Sequence, residues 1–407
     1  MRPTLKQCLI LLTLISVVCD TIMLPFYPIF FLQRFGIDSG YHVGAYLAVL
    51  CFVVMVSFPF WAKLAKRYHE IHIWIFTQII AAALGIACYY STSIEWLWIV
   101  SMTKMVFKAS YLLIYPYALR LEEKDAHLGI VGLFAVLMHF GGIGGAILGG
   151  VLIDVTEAHN IYLIMSLGDV IQVLICIYLS IKLNLEWKQL PYEEHVPSRK
   201  KIPTFIFTLG LVSLIVYFCE FLARPYFTLY WQQISQSEST LIAGLVYAVP
   251  AWMALFGLLV SHGRWTSKLN AQQQITAALL AAAVGLCLQA IADWYVVLAG
   301  RILFGYALFI ITVKLEVMLF SLSEPAHYAE DFSKIHFLQS TGIIGASVLI
   351  GSLVSEQDFS MPFVFAAGGM VITCLLFIIF FIFKQTNDSA TNDSHVSSIT
   401  RSDTEIH

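Results

Sequence analysis

The chain has 407 residues, 59% hydrophobic and 12% charged, with a net charge of -3 and a mean hydropathy of +0.80. Soluble domains run to roughly 45–50% apolar and about 25% charged residues, so this composition excludes a water-soluble enzyme, a nucleic-acid binder and a disordered scaffold. What remains is a membrane protein of many spans, each needing about 20 apolar residues.

The first apolar stretch, 7–33, follows Arg2 and Lys6. It is too long for a cleaved leader and no small-residue cleavage site closes it, so it reads as span one. Further stretches follow at 41–62, 71–92, 96–118, 128–153 and 160–182. A polar loop, 183–203, carries Glu193, Glu194, Arg199, Lys200 and Lys201. Six more stretches cover 204–233, 241–262, 271–292, 296–322, 333–356 and 360–384. The expected fold class is an all-α integral membrane protein of 12 transmembrane helices. Its bundles of six would be 1–182 and 204–384, joined by a cytoplasmic loop at 183–203. The tail, 385–407, is rich in Ser, Thr, Asn and Asp and reads as disordered.

With both termini placed inside, seventeen of the 23 basic residues fall on the cytoplasmic side, among them Lys63, Lys66, Arg67, Lys124, Arg264, Lys268, Lys384 and Arg401. Arg34 alone lies outside, and five sit within spans. That bias is a strong positive-inside signal. The expected location is a cell membrane, crossed many times, with compact loops that suggest a bacterial inner membrane. The eight cysteines all lie in apolar runs and form no C-x-x-C pair, so neither a disulfide framework nor a metal site is expected. Trp96, Trp98, Trp231 and Trp294 read as outer interface anchors, and Trp61, Trp74, Trp187 and Trp265 as inner ones.

Spans one and seven match at an offset of 200: Cys19-Asp20 with Cys219-Glu220, and Pro25-Phe26-Tyr27 with Pro225-Tyr226-Phe227. Gly44 and Gly244 share that offset, as do Gly142-Ile143 with Gly342-Ile343 and Gly145-Ala146 with Gly345-Ala346. Two homologous six-span halves explain this, an architecture of secondary transporters in which substrate binds at the repeat interface. Between spans two and three, Pro59-Phe60-Trp61-Ala62-Lys63-Leu64-Ala65-Lys66-Arg67-Tyr68 is similar to the Gly-x-Leu-Ala-Asp-Arg-x-Gly loop of the major facilitator superfamily. Ala62 replaces the usual Gly and Lys66 the usual Asp; Lys63 and Arg67 remain. In span five, the run 141–150 holds Gly141, Gly145, Gly149 and Gly150 and resembles the glycine signature of that superfamily's drug/proton antiporters, with Ala146 where Pro is usual. Glycines so spaced also serve simply to let helices approach closely. The resemblance covers about 7–384. It implies two pseudo-symmetric six-helix bundles, with spans one, four, seven and ten lining a central cavity, and gating roles for Lys63, Arg67 and the four glycines.

Charge inside hydrocarbon is costly and marks function. Asp20, Lys104, Lys108, Glu220, Arg224, Arg301, Lys314 and Glu316 all fall on spans one, four, seven and ten. Lys104, Lys108, Tyr111 and Tyr115 follow helical spacing and are expected on one stripe. Glu220 and Arg224 stand i, i+4 and could pair. Three acids against five bases leave an excess of two positive charges, which suggests an anionic substrate. Lys104, Lys108, Tyr111, Tyr115, Arg224, Arg301, Lys314, Glu316 and Trp252 are the candidate substrate contacts. Asp169 in span six lies outside the cavity helices, either as a structural partner or as a second proton site.

No phosphate-binding glycine loop occurs, so the chain has no motif for ATP hydrolysis. Asp20 and Glu220 are candidate proton carriers, with His139 as a relay. Pro25 and Pro225, with Pro28, Pro116 and Pro250, can kink helices and serve as flex points. The leading expectation is a proton-coupled carrier exporting a small anionic or amphiphilic organic molecule, such as a siderophore-like metabolite or a drug. The alternative is a proton symporter importing an organic acid, sugar or siderophore. The expected partners are that substrate, protons and the lipid bilayer, with no nucleic acid and no cofactor, and the carrier is expected to be a monomer. A membrane enzyme would need a nucleophile–base or metal cluster, which the sequence does not present, and a channel would need a pore loop.

Overall fold

A computed structural model describes residues 3–121, 127–188, 203–261, 270–323, 328–354 and 358–383. Arg2, Lys124, Glu193, Glu194, Arg199, Lys200, Lys201, Arg264, Trp265, Lys268, Lys384, Arg401 and the tail 385–407 lie outside the described residues.

Twelve apolar helices, spans one to twelve in chain order, are long enough to cross a bilayer. They are Thr4–Phe35, Gly40–Leu64, Glu70–Tyr89, Ile94–Ala118, Gly132–Val155 and Ala158–Leu183, then Thr204–Leu222, Thr240–Val260, Ala271–Gln289, Trp294–Leu322, Glu330–Leu353 and Met361–Phe381. Short polar residues start several of them by satisfying free amide groups. The Ser39, Ser93 and Ser239 hydroxyls accept from His42, Trp96 and Ile242, and the Asp293 carboxylate accepts from Tyr295 and Val296. Asn270 and Gln273 form a reciprocal capping box at span nine. Gly36 ends span one at φ 66°, a left-handed conformation that suits glycine.

The two six-helix sets repeat the same internal pairings. Span one packs on five as seven packs on eleven, and three on six as nine on twelve. Equivalent glycines meet equivalent neighbours. A Cβ at Gly168 would strike Cys19 Sγ at 2.3 Å, and one at Gly369 would strike Cys219 Sγ at 2.3 Å. The eight cysteines are unpaired.

Several spans are broken. Span one leaves the α-helix after Thr21, makes a tighter turn at Leu24–Phe26 around Pro25, and resumes over Tyr27–Phe35. The stretch predicted as one helix over 204–233 is two, Thr204–Leu222 and Phe227–Ser235, parted at Pro225. Span eight divides into Thr240–Tyr247 and Val249–Ser261 beside Pro250. Proline has no N–H to continue the ladder, which accounts for these three breaks. Span four breaks without proline at the joint: Ile94–Lys108 passes into a 3₁₀ segment, Ala109–Leu113, before Ile114–Arg120.

That segment changes the expected polar stripe. A 3₁₀ residue turns about 120° against about 100° in an α-helix, so five of them rotate the rest of the span by roughly a quarter turn. Lys104 and Lys108 stay on one face. Tyr111 instead packs against Trp74, with ring centroids 5.8 Å apart, and Tyr115 against Phe134 and Phe332. Two proposed interface tryptophans also change role: Trp61 and Trp74 are buried and donate to the carbonyls of Val106 and Ser110 at 2.6 and 3.1 Å. Trp231 is buried as well, against Trp294.

Candidate functional site

Span one begins at Thr4 and ends at Gly36, and these residues mark the two ends of the bundle. Toward the Gly36 end the two halves close on each other along two seams. Span two meets span eleven, and span five meets span eight. Glycine makes both approaches possible. A Cβ on Gly44 would lie 2.4 Å from the Ser347 carbonyl oxygen, and one on Gly244 would lie 2.5 Å from that of Ala146. Gly150 belongs to the second seam, against Thr240 and Leu241. Gly141, Gly145 and Gly149 lie on another face of span five and press on Val17, Thr21 and Ile22 of span one. Thr21 also donates to the Gly141 carbonyl at 3.3 Å. The glycine run therefore serves close packing within its own half, apart from Gly150.

Asp154 fastens the second seam. Its carboxylate accepts from the backbone amides of Thr240 and Leu241 at 2.7 and 2.9 Å, from the Ser239 hydroxyl at 3.0 Å, and from the Thr240 hydroxyl. A residue of one half thus caps a helix of the other. Asp154→Ala is expected to cost about 1–2 kcal/mol at this cap. Hydrogen exchange at the Thr240 and Leu241 amides should accelerate, and unchanged protection there would contradict the role. At the centre the two kinks touch, Thr228 donating to the carbonyl of Pro25 at 2.6 Å. Toward the Thr4 end the described halves meet where Tyr115 stacks on Phe332, with centroids 5.6 Å apart.

The N-terminal half carries a buried charge cluster. Lys108 Nζ lies 2.9 Å from Asp169 Oδ1 and 3.0 Å from Asp20 Oδ1, and Lys104 Nζ lies 3.4 Å from Asp169 Oδ2. Ser16 donates to Asp20 at 3.2 Å. Asp169 is fully buried and Lys104 is 1% exposed, whereas the Asp20 side chain is 45% exposed although it sits mid-span. A charge count restricted to spans one, four, seven and ten leaves Asp169 out. With it, four acids face five bases, and the expected excess of two falls to one. Lys104 is closed off behind Asp169. Gly85 leaves room for it, since a Cβ there would sit 2.9 Å from its Nζ. In the C-terminal half Phe304 stands at the position of Lys104, and a Cβ on Gly285 would meet the backbone of Phe304 and Gly300, so there the glycine brings two helix backbones together.

In that half Glu220 and Arg224 pair directly, as their spacing allows. Arg301 is buried and donates to Gln289 Oε1 at 3.3 Å and to the Tyr247 carbonyl at 2.9 Å. Its guanidinium lies 4.0 Å from the centre of the Phe227 ring, so it ties spans seven, eight, nine and ten together. Glu316 stands apart from Lys314. It lines a crevice of about 10 Å³, room for one water, with Ser213, Tyr217, Thr312, His336 and Gln339. Lys314 and His139 make no ion pair or hydrogen bond among the described residues. Trp252 is 44% exposed in span eight. Lys63 and Arg67 are exposed. The acid at this end of span three is Glu70, paired with Arg120 from the end of span four. Glu70 and Arg120 lie just outside the loop motif, and nothing in their spacing points to the pair.

The model of the Major Facilitator Superfamily matches residues 209–402. Comparison with curated protein sequences finds no match. Among solved structures, the chain is similar to the nucleoside transporter NupG. A structure of a point mutant of NupG has a TM-score of 0.73 at 14% identity over 93% of this chain and 100% of that one. A second NupG structure gives 0.68 at 14% identity over 94% and 100%. The POT family transporter PepTSo gives 0.67 at 10% identity over 93% and 98%. Such likenesses carry the fold, and together with the family match over 209–402 and the twelve spans they support a secondary transporter with the fold of the major facilitator superfamily.

Proposed function

We propose that the chain carries a small organic anion by alternating access, together with a proton, with Asp20 as the proton-binding carboxylate and Lys108 as the anion contact. The observation that carries this reading is the sharing of Lys108 Nζ between the half-exposed Asp20 and the buried Asp169. With all four groups ionised, Asp20, Asp169, Lys104 and Lys108 sum to zero and offer an anion no net attraction. Protonation of Asp20 releases Lys108 and leaves the cluster with one positive charge. Proton and anion then bind together, which favours movement in the same direction, the symport reading, over export. The packing of Gly141, Gly145 and Gly149 against span one fits the helix-approach reading of that run, on whose other reading, an exporter signature, the case for export rests.

Arg224, held by Glu220, stands as the opposing cation, with Glu220 and His139 as further proton carriers and Trp252 as an aromatic contact. Pro25 and Pro225, at the breaks of spans one and seven, are the flex points of the cycle. The basic bias of the loops supports cytoplasmic termini, and their compactness supports a bacterial inner membrane; with that orientation the closed Gly36 end faces outward.

The test is transport by the purified chain in proteoliposomes, screening organic acids with and without an imposed pH gradient, with a neutral nucleoside as control. The expected result is anion uptake driven by the gradient. Lys108→Gln should abolish it, and Asp20→Asn should leave counterflow intact while removing the response to pH. Full anion transport by Lys108→Gln would overturn the assignment.

A further inference from the structure

A second feature lies on the flank of the N-terminal half, away from the charge cluster. Near the Thr4 end, a groove of about 460 Å³ runs between the walls formed by Phe60, Trp61, Phe76 and Phe107, with Trp187 at its end. That volume is within the range of about 300–1,000 Å³ typical of small-molecule sites. Phe60 and Phe76 are exposed, so the groove opens on the surface that faces hydrocarbon.

Two observations describe its wall and its rim, and the second says what it takes. The first is a buried polar group in an otherwise apolar wall. His72 is 4% exposed, its ring stacks on Trp187 with centroids 4.4 Å apart, and its Nε2 is 2.8 Å from Ser180 Oγ. Its Nδ1 is buried and has no hydrogen-bond partner. The second is the charge of the rim. Lys63, Lys66 and Arg67 are exposed and lead directly into Tyr68, which lines the groove. Lys188, also exposed, follows Trp187, and its backbone pairs with that of Tyr68. Among the described residues beside them in the chain, Glu186, exposed, and Glu70, buried and engaged by Arg120, stand against these four cations.

We propose that the groove binds an anionic phospholipid of the adjoining leaflet, its phosphate held among Lys63, Lys66, Arg67 and Lys188 and one acyl chain lying between Phe60 and Phe76. An acyl chain gains little by leaving one hydrocarbon environment for another, so the groove wall supplies shape and the rim supplies selection. Tyr68 and Trp187, exposed beside this rim, are amphipathic rings of the kind that meet headgroups. Val106 and Phe107 form part of the wall and directly precede Lys108, so an occupied groove buttresses span four just where it tightens.

Native mass spectrometry of the full chain in mild detergent, offered equal amounts of phosphatidylglycerol and phosphatidylcholine, tests this. One phosphatidylglycerol should be retained per chain, at about tenfold preference or more. Lys63→Gln/Lys66→Gln/Arg67→Gln should bring the two lipids to parity. Val106→Trp, which fills the groove and leaves the rim intact, should lower retention of phosphatidylglycerol, which separates a seated lipid from headgroups adsorbed to surface charge. Parity in the wild-type chain overturns the proposal, and so does an undiminished preference in the triple variant or undiminished retention in Val106→Trp.

Discussion

Asp169→Asn is expected to destabilise the chain by about 3–5 kcal/mol, the cost of leaving buried charge without its counter-ion. Asp169 is fully buried and holds two ammonium groups, Lys108 at 2.9 Å and Lys104 at 3.4 Å. Asparagine keeps the shape and removes the charge. Lys108 would retain Asp20, but Lys104 would retain no carboxylate within ion-pair distance among the described residues. Two like charges one helical turn apart would then repel in a medium of low dielectric. Thermal unfolding of the purified chain in detergent measures the effect. The companion variant Asp169→Asn/Lys104→Met should recover most of the loss, because it removes the stranded ammonium along with its partner. Asp20→Asn should cost less than Asp169→Asn, since water reaches the Asp20 carboxylate and screens its pair with Lys108. An Asp169→Asn chain that unfolds like the wild type would dismiss the cluster as a source of stability.

Gly44→Val should act on the conformational cycle more than on folding within either half. The added Cβ would lie 2.4 Å from the Ser347 carbonyl oxygen, a backbone atom that cannot swing aside. The two halves must part to accept it. Overpacking of this kind costs about 1–3 kcal/mol, all of it in the state with the Gly36 end closed. Gly244→Val at the other seam, 2.5 Å from the Ala146 carbonyl oxygen, should do the same. Ser347 is fully buried, so the labelling rate of Ser347→Cys by a maleimide reports opening. It should rise by about tenfold in either variant, as a shift of about 1.4 kcal/mol implies, while transport slows. Gly149→Ala provides the contrast. Its Cβ meets the Ile22 carbonyl oxygen within one half, at 2.3 Å, so it should lower stability without raising the labelling of Ser347→Cys. Equal labelling in wild type and Gly44→Val would show that this seam does not govern closure.

The bilayer makes some features of this chain easy to read in advance. A helix must bury its backbone polar groups across about 30 Å of hydrocarbon, so each span declares itself as a long apolar run. Span boundaries differ from the predicted ones by a few residues, except where span seven breaks at Pro225. The proline breaks are legible because proline acts through its own missing N–H. The 3₁₀ segment at Ala109–Leu113 is not, because neither proline nor glycine marks it and the neighbours of span four set it. Tyr111 and Tyr115 leave the expected stripe for that reason.

Partners are harder to read than positions. Span six is expected to lie away from the cavity, which gives Asp169 no evident partner, yet the rotation of that helix turns its carboxylate toward span four. Asp154 ends an apolar run and looks like any interfacial acid until span eight of the other half is brought to it. Trp61 and Trp74 resemble interface anchors by position, and only the packing of spans two, three and four shows that their N–H groups meet carbonyls inside the bundle.

The sequence by itself determined the number of spans, the two-fold repeat and which midspan charges exist, because hydropathy, proline chemistry and a constant offset of 200 residues are local properties of the chain. Only the tertiary structure decided which of those charges meet. An ion pair depends on the rotation and tilt of two helices far apart in the chain. Those are set by glycine contacts such as Gly85 with Lys104 and Gly44 with Ser347, where the absence of a side chain lets the helices approach. The scarcity of charge singled out the few midspan groups, and the packing showed that the two lysines of span four are largely neutralised by Asp169 and that Asp20 is the member of their cluster open to water.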